Sequence, residues 1–399
     1  MLFDKDEYHG RWNRLYDSIE AAGARTAVVW QRSAGGYDRA GDLHWLCNYA
    51  SLASGQEPSV ATWPGIGRGF AALVFHDRQE PTLHIAEPVE LVDETEIAPL
   101  AIHSHDNLPA GVGAQLAGLG VEGTVLHNAD DFLPILFGRE LAAAAPGITF
   151  EHDDHLIYRA HRIKSPAEHE VMREAGRVAS SALTALMSGL MSGQSEREAS
   201  AAAAAAIVRG GGGFQRIGVA HGARSERVFW SSSMYGYSDE TPATGDLVRG
   251  WVYGPIYGGY WLDPGRTAVV GNKPTAAQRT LLEAGNDVVE RLLDAIRPGV
   301  SSADVGLLGD ELMAAAGNEA EGDYWELYGH GVGKDFYLPP AIPAHGSYAG
   351  LVDTYDVGMA VTVEIFLRHA GVGMATFERT GLVTERGVEL LDDTPMIWW

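Results

Sequence analysis

A carboxylate stands in the middle of an apolar β run. Residues 358–367 read Gly-Met-Ala-Val-Thr-Val-Glu-Ile-Phe-Leu, with Glu364 flanked by residues that only a buried strand accommodates. Burying an unpaired carboxylate costs several kcal/mol, so any fold that uses this strand must bring Glu364 a cation or a shared proton. Three more polar residues fall in similar glycine-punctuated, β-rich surroundings: Asp263 in GGYWLDPGRTAVVG, His330 in LYGHGVGKDFYLPP and Glu378 in ATFERTGLVTERG. Taken singly they have ordinary readings, since Asp before Pro-Gly is a common turn residue and a histidine between glycines is often structural. Taken together, two glutamates on neighbouring strands with an imidazole and an aspartate form a hard, mixed N/O ligand set. Such a set suits Mn²⁺, Fe²⁺, Co²⁺ or Zn²⁺ with a bound water.

The chain alternates textures. RTAVVW (25–30), FAALVFH (70–76), PTLHIAE (81–87) and GTVLHN (123–128) read as strands, and 8–22 and 132–144 as helices, which gives an α/β domain over 1–157. Ser165-Pro166, with Glu168 three residues beyond the serine, is a helix start. An alanine-rich helix over 196–209 ends at four glycines. Strand-like FQRIGVAHG and RVFWSSS follow, then β runs at 247–257 and 260–270, helices at about 275–296 and 302–316, and β again to the end. The stretch 158–399 therefore reads as an antiparallel α+β domain, and 399 residues suit two domains.

Composition excludes several function classes. Lys+Arg of 29 against Asp+Glu of 53 gives a net charge of −24, which opposes binding to nucleic acid or an anionic membrane. The single cysteine, Cys47, forbids an intrachain disulfide or a cysteine-built metal centre and reads as a small buried residue. MLFDKDEYHGRW has neither the basic stretch nor the apolar run of a secretory signal, and no long uncharged apolar stretch appears. A cytoplasmic protein acting on a small-molecule substrate is the expectation.

In order along residues 158–390, IKSPAEHEVMREAGRVA, GD followed by a hairpin ending in DPGRT, GHGVG, GMAVTVE and FERTGLVTERG resemble the pita-bread family of methionine aminopeptidases, prolidases, aminopeptidase P and creatinase. The N-terminal domain then resembles that of creatinase and prolidase. The resemblance implies a metal-dependent hydrolase of C–N bonds, a homodimer, and ligand roles for Asp263, His330, Glu364 and Glu378, with Glu364 also moving the proton.

The family pattern is not fully kept. Its first Asp lies eleven positions before the second, where this chain has Val252, and no acid occurs between Asp246 and Asp263. The resemblance thus implies one complete metal site and one damaged one. Two substrate-holding histidines of the family's peptidases correspond to Met234 and Tyr337, which argues against ordinary peptide cleavage. The phenol of Tyr337 could still donate to a developing oxyanion. A metal-free variant stays open, since the creatinase branch keeps the His and both Glu without either Asp. In it His221 of GVAHGARSE is the candidate acid/base. His345 and Arg266 are weaker candidates, Arg266 as a partner for the Asp or in a structural ion pair. The aromatic residues Trp230, Tyr235, Tyr237, Trp251, Tyr253, Tyr257, Tyr260 and Trp261 read as core or as a cage for a methylated cation. A lyase acting on a sulfonium substrate and a catalytically dead binding protein are the readings from other classes.

Overall fold

The computed structural model describes residues 2–32, 41–51, 66–153, 155–226, 236–319, 326–334 and 338–399. They fall into two units, Met1–Arg162 and Ile163–Trp399. The seam lies a few residues beyond the expected 157/158, and the reason is local. Ser18 Oγ donates to Leu156 O at 2.6 Å, and Arg159 Nε donates to Ser18 Oγ at 2.9 Å, which ties the helix Leu156–His161 to the first unit.

In the first unit the elements are α1 (Lys5–Ala21), β1 (Thr26–Arg32), α2 (Gly41–Cys47), β2 (Phe70–His76), β3 (Thr82–Ile85), β4 (Ala101–Ser104), α3 (Leu108–Gly118), β5 (Gly123–His127), α4 (Ile135–Ala144), β6 (Ile148–His152) and α5 (Leu156–His161). The sheet order is β4-β3-β2-β1-β5-β6. β2 is antiparallel to β1 and β3, while β1/β5, β5/β6 and β3/β4 are parallel. Val28, Trp30 and Phe70 of the sheet bury against Val112 and Leu116 of α3 and Phe137 and Leu141 of α4. This is the expected α/β architecture. β4 and β6 escape sequence reading because they are short and half-exposed, with no continuous apolar run.

The second unit holds α6 (Pro166–Met191), α7 (Glu196–Arg209), β7 (Arg216–His221), β8 (Leu247–Tyr257), β9 (Tyr260–Leu262), β10 (Gly265–Val269), α8 (Ala276–Ala295), α9 (Ser302–Ala315), β11 (Leu327–Gly331), β12 (Leu338–Pro343), β13 (Ala360–His369), β14 (Gly373–Thr384) and β15 (Gly387–Leu390). Both α6 and α7 begin in capping boxes, Ser165 with Glu168 and Ser195 with Glu198, and Pro166 takes the first helical position of α6. The strand order is β12-β11-β13-β14-β10-β8-β7, with β15 on β14 and β9 on β8, and every pairing is antiparallel. The segment RVFWSSS lies outside the described residues.

Side chains alternate across a strand, and that period decides which residues meet the helices. Val361, Val363, Ile365 and Leu367 of β13 join Phe377 of β14 and Leu281, Leu282, Val289 and Leu292 of α8 in one core. The alternate residues Thr362, Glu364 and Phe366 turn to the opposite face. Packing of α8 therefore sets the direction in which Glu364 points.

His84 in the first unit gives a pH test of the fold. It is fully buried, its Nδ1 is bonded to His105 Nε2 and its Nε2 to Thr82 Oγ1, both at 2.9 Å, and its ring stacks on His103. Burial, and then the neighbouring His105 and His103, lower its pKa from 6.5 to about 3. The unfolded chain therefore binds the extra proton, and the stability is present above about pH 6.5 and is lost as pH falls. At pH 5 the loss should be about 2 kcal/mol. Hydrogen exchange at β2 and β3 between pH 7.5 and 5 measures it. A His84→Gln variant should flatten the dependence; equal slopes in both proteins would refute the assignment.

Candidate active site

Four strands or strand ends deliver the polar cluster. Glu364 of β13 and Glu378 of β14 are paired directly across the ladder, so their side chains leave the same face. Gly265, two residues after Asp263, pairs with Glu378, which sets Asp263 beside the two glutamates. His330 of β11 pairs with Thr362. Close approach of β11 to β13 needs glycine at position 329, where φ is +144° and a Cβ would run into Thr362 O.

Asp263, His330, Glu364 and Glu378 are each at most 4% exposed. His330 Nε2 lies 3.4 Å from Asp263 Oδ2 and 3.9 Å from Glu364 Oε1. Its Nδ1 is 2.9 Å from Gly331 O, a bond that only an Nδ1–H can make, so a second proton on Nε2 faces the carboxylates in the metal-free state and its departure would free the Nε2 lone pair for a metal. Thr362 Oγ1 donates to Glu378 Oε1 at 3.4 Å. Three negative groups crowded in a dry site cannot all stay ionised. Burial, and then the charges of Asp263 and Glu364 and a bond with Asp263, push the Glu378 carboxyl well above its usual range. Burial alone would depress the His330 imidazole, but the bond to Asp263 and the charges of Asp263 and Glu364 outweigh it and raise the pKa.

The donor set fits a divalent ion. One ligand atom each from Asp263, His330 and Glu378 lies within 4.8 Å of the others. Asp263 Oδ1 is buried and accepts no hydrogen bond, a penalty that a cation removes. One imidazole nitrogen with carboxylate oxygens matches Mn²⁺, Fe²⁺, Co²⁺ or Zn²⁺. All four ligand candidates named from sequence are thus brought together.

Other candidates fall elsewhere. His221 ends β7, where its Nε2 meets Glu196 Oε1 at 3.3 Å and Arg224 Nη2 at 3.1 Å. It pairs with Val248, whereas Ile217 pairs with Val252, so His221 sits four residues up the ladder, about 13 Å from the row of Val252. That position removes it as the base of a metal-free site. Tyr337 and Met234 lie outside the described residues, as do Trp230 and Tyr235. His345 is exposed and paired with Asp310. Arg266 is fully buried in an ion pair with Asp392 and donates to Glu378 O at 2.6 Å, so it fixes the backbone under Glu378 rather than Asp263. Cys47 is buried, and burial lifts its thiol to about 12, which makes it inert.

The ladder also shows what faces Asp263. Trp251 pairs with Gly265 and Gly254 with Leu262, so Tyr253 lies opposite Asp263 while Val252 points away, fully buried. Arg216 pairs with Tyr253 in turn, donates to its hydroxyl and holds its guanidinium 4.8 Å from the ring centroid. Trp251 lies over Gly265 and stacks on Phe366 at 6.4 Å and 18°. Sequence reading missed the roles of Thr362, Arg216 and Asp392. Thr362 had a signal, since it precedes Glu364 by two residues and so shares its face.

Comparison with known proteins agrees with this fold. The model of metallopeptidase family M24 matches residues 170–385. The Xaa-Pro dipeptidase of Pyrococcus furiosus is 26% identical over 335 residues, covering 82% of this chain and 88% of that protein. The probable dipeptidase PepE of Mycobacterium tuberculosis is 29% identical over 294 residues, 71% of either chain. Among solved structures, the prolidase of Pyrococcus horikoshii superposes with a TM-score of 0.76 at 19% identity over 96% of this chain and 98% of that one. Dipeptidase PepE of Mycobacterium ulcerans gives 0.76 at 24% identity over 99% and 98%.

A proton held by Glu378 competes with a metal ion for the same oxygens. Affinity for Mn²⁺ or Zn²⁺ should therefore rise from pH 5.5 to 7.5, with proton release on binding. Calorimetry in buffers of different ionisation enthalpy reads this directly, and a pH-independent affinity without proton release would contradict the shared-proton site.

Proposed function

The chain belongs to metallopeptidase family M24, and from that premise we propose a hydrolase that uses one metal ion to cleave an amide bond in a small substrate bearing a carboxylate. The observation that carries the single-metal reading is the pairing opposite Asp263, where Tyr253 backed by Arg216 stands and, among the described residues of that row, no second acid does. Asp263, His330, Glu364 and Glu378 would hold the ion. When bound, it supplies an acidified water and polarises the scissile carbonyl.

The chain's own groups do the remaining work. Glu364 takes the proton of the attacking water and returns it to the leaving nitrogen. Thr362 and the Arg266 bond to Glu378 O keep Glu378 in place while its proton is given up. The slab of Trp251 and Phe366 excludes water beside the glutamates. Arg216 lies two strands from Asp263, about 10 Å away, a distance suited to an anionic end of a small molecule bound at the metal. A cage for a methylated cation has less support. The faces of Tyr253 and Trp251 already carry the guanidinium groups of Arg216 and Arg249, at 4.8 and 5.1 Å. The names of the relatives, Xaa-Pro dipeptidase and dipeptidase, fit a substrate in which an amide and a free carboxylate lie close together.

Metal content tests the first half of this reading. Protein purified without a metal-affinity column should hold about one equivalent of Mn, Fe, Co or Zn at this cluster, and Asp263→Asn should lose that equivalent. Two equivalents at the cluster would overturn the mononuclear reading, and none after reconstitution would overturn metal dependence. Glu364→Gln should cut kcat by at least about 100-fold with the melting temperature unchanged. For the second half, Arg216→Ala should raise KM about tenfold for a carboxylate substrate, and much less for the same substrate with its carboxylate amidated. An equal change for both would remove Arg216 from recognition.

A further inference from the structure

The first unit carries a second convergent set of ligands, which hydrolysis at Asp263 does not use. β5 and β6 run parallel with His127 in register with His152, so both imidazoles leave one face at the carboxyl ends of these strands. The turn after β5 returns Asp130 to the same place, its Oδ1 3.2 Å from His127 Nε2. One nitrogen of each ring and one carboxylate oxygen lie within 4.8 Å of one another. The rings meet edge to face, with centroids 5.5 Å apart at 68°. His127 is buried, His152 half-buried and the Asp130 side chain exposed, so the set is anchored on one side and open to water on the other.

We propose that His127, Asp130 and His152 form a zinc site that clamps β5 to β6, separate from the hydrolytic centre. Two imidazole nitrogens and one carboxylate make a three-ligand set that zinc completes with water, and the nitrogen donors disfavour Mg²⁺ and Ca²⁺. Burial lowers the His127 pKa, so the ring is neutral and open to a metal at neutral pH. In the metal-free state Ala129 N–H donates to Nδ1 of His127 at 3.3 Å, which leaves the ring proton on Nε2. Zinc takes the Nε2 lone pair, and that proton passes through solvent to Nδ1. The change forfeits a long hydrogen bond and releases no net proton. His152 has a comparable long bond, its Nδ1 lying 3.4 Å from Asp130 N.

The test uses full-length protein stripped of metal, titrated with Zn²⁺ and analysed for metal after gel filtration. Wild-type protein should retain two zinc ions per chain. Asp263→Asn should retain one, at the new site, and adding His152→Ala should remove it. Because His127 is buried and its loss could disturb folding, the exposed Asp130→Ala serves as a second variant and should weaken the same ion. In Asp263→Asn protein, zinc should also slow hydrogen exchange along β5 and β6, an effect absent in the double variant. If Asp263→Asn protein takes up no zinc, or keeps it when His152 or Asp130 is removed, the site does not exist. Failure of the hydrolytic reading would appear separately, as missing metal in the His152→Ala single variant.

Discussion

Two carboxylates facing each other across a buried β ladder are electrostatically intolerable without a remedy, and Glu364 and Glu378 are such a pair. Asp263 adds a third negative group beside them. In the metal-free state the strain is relieved by a proton on Glu378, by the imidazole of His330 and by the hydroxyl of Thr362. Each relief is weaker than a divalent cation, which satisfies several oxygens at once. The centre of the sheet is therefore built for a charge that the polypeptide itself does not carry.

The same period-two alternation makes this arrangement affordable to the fold. Every residue that turns Glu364 or Thr362 toward the cluster is next to one that buries under α8. A one-residue slip of β13 would put Glu364 and Thr362 into the helix-facing core and turn Val363 and Ile365 to the opposite face instead. Core packing and site geometry are thus enforced by one register. Arg266 strengthens that link, since it bonds Glu378 O on one side and Asp392 and Thr394 O on the other.

Legibility in the sequence followed the range of the interactions involved. α7 was readable to its last residue because a capping box and a glycine tract mark its ends locally. The run read as one strand over 260–270 is two, β9 and β10, because Pro264 has no N–H to continue the ladder. β12, with the sequence LPPAIP, reads against a strand for the same reason, yet it forms one at the edge of the sheet. Glu364 was readable because a charge in an apolar strand is conspicuous, whereas Asp263, His330 and Glu378 have ordinary readings singly and were singled out by the family resemblance. His221 was not placeable, because its distance from the cluster depends on a β7–β8 register that no local signal encodes. Arg216 was missed on the same ground, since its position beside Tyr253, in one row with Asp263, exists only once three strands are paired.

That row across β7, β8 and the start of β10 bears on how a family site changes its chemistry. In a two-metal site the second cation neutralises charge that develops away from the first. Here the residue facing Asp263 is a phenol with a guanidinium over it, a fixed positive charge held by an aromatic face rather than by carboxylates. A guanidinium cannot acidify water as a metal ion does, but it binds an anion in a set orientation. On the proposed single-metal reading, Val252 in place of an acid and Arg216 behind Tyr253 would exchange a Lewis acid for an anchor. Under that reading the exchange would narrow the substrate, because a small amide with a nearby carboxylate offers Arg216 an anion and a long neutral peptide does not. Asp263, His330, Glu364 and Glu378 stand together beside that row, so the proposed change of specificity would leave one complete ligand set in place.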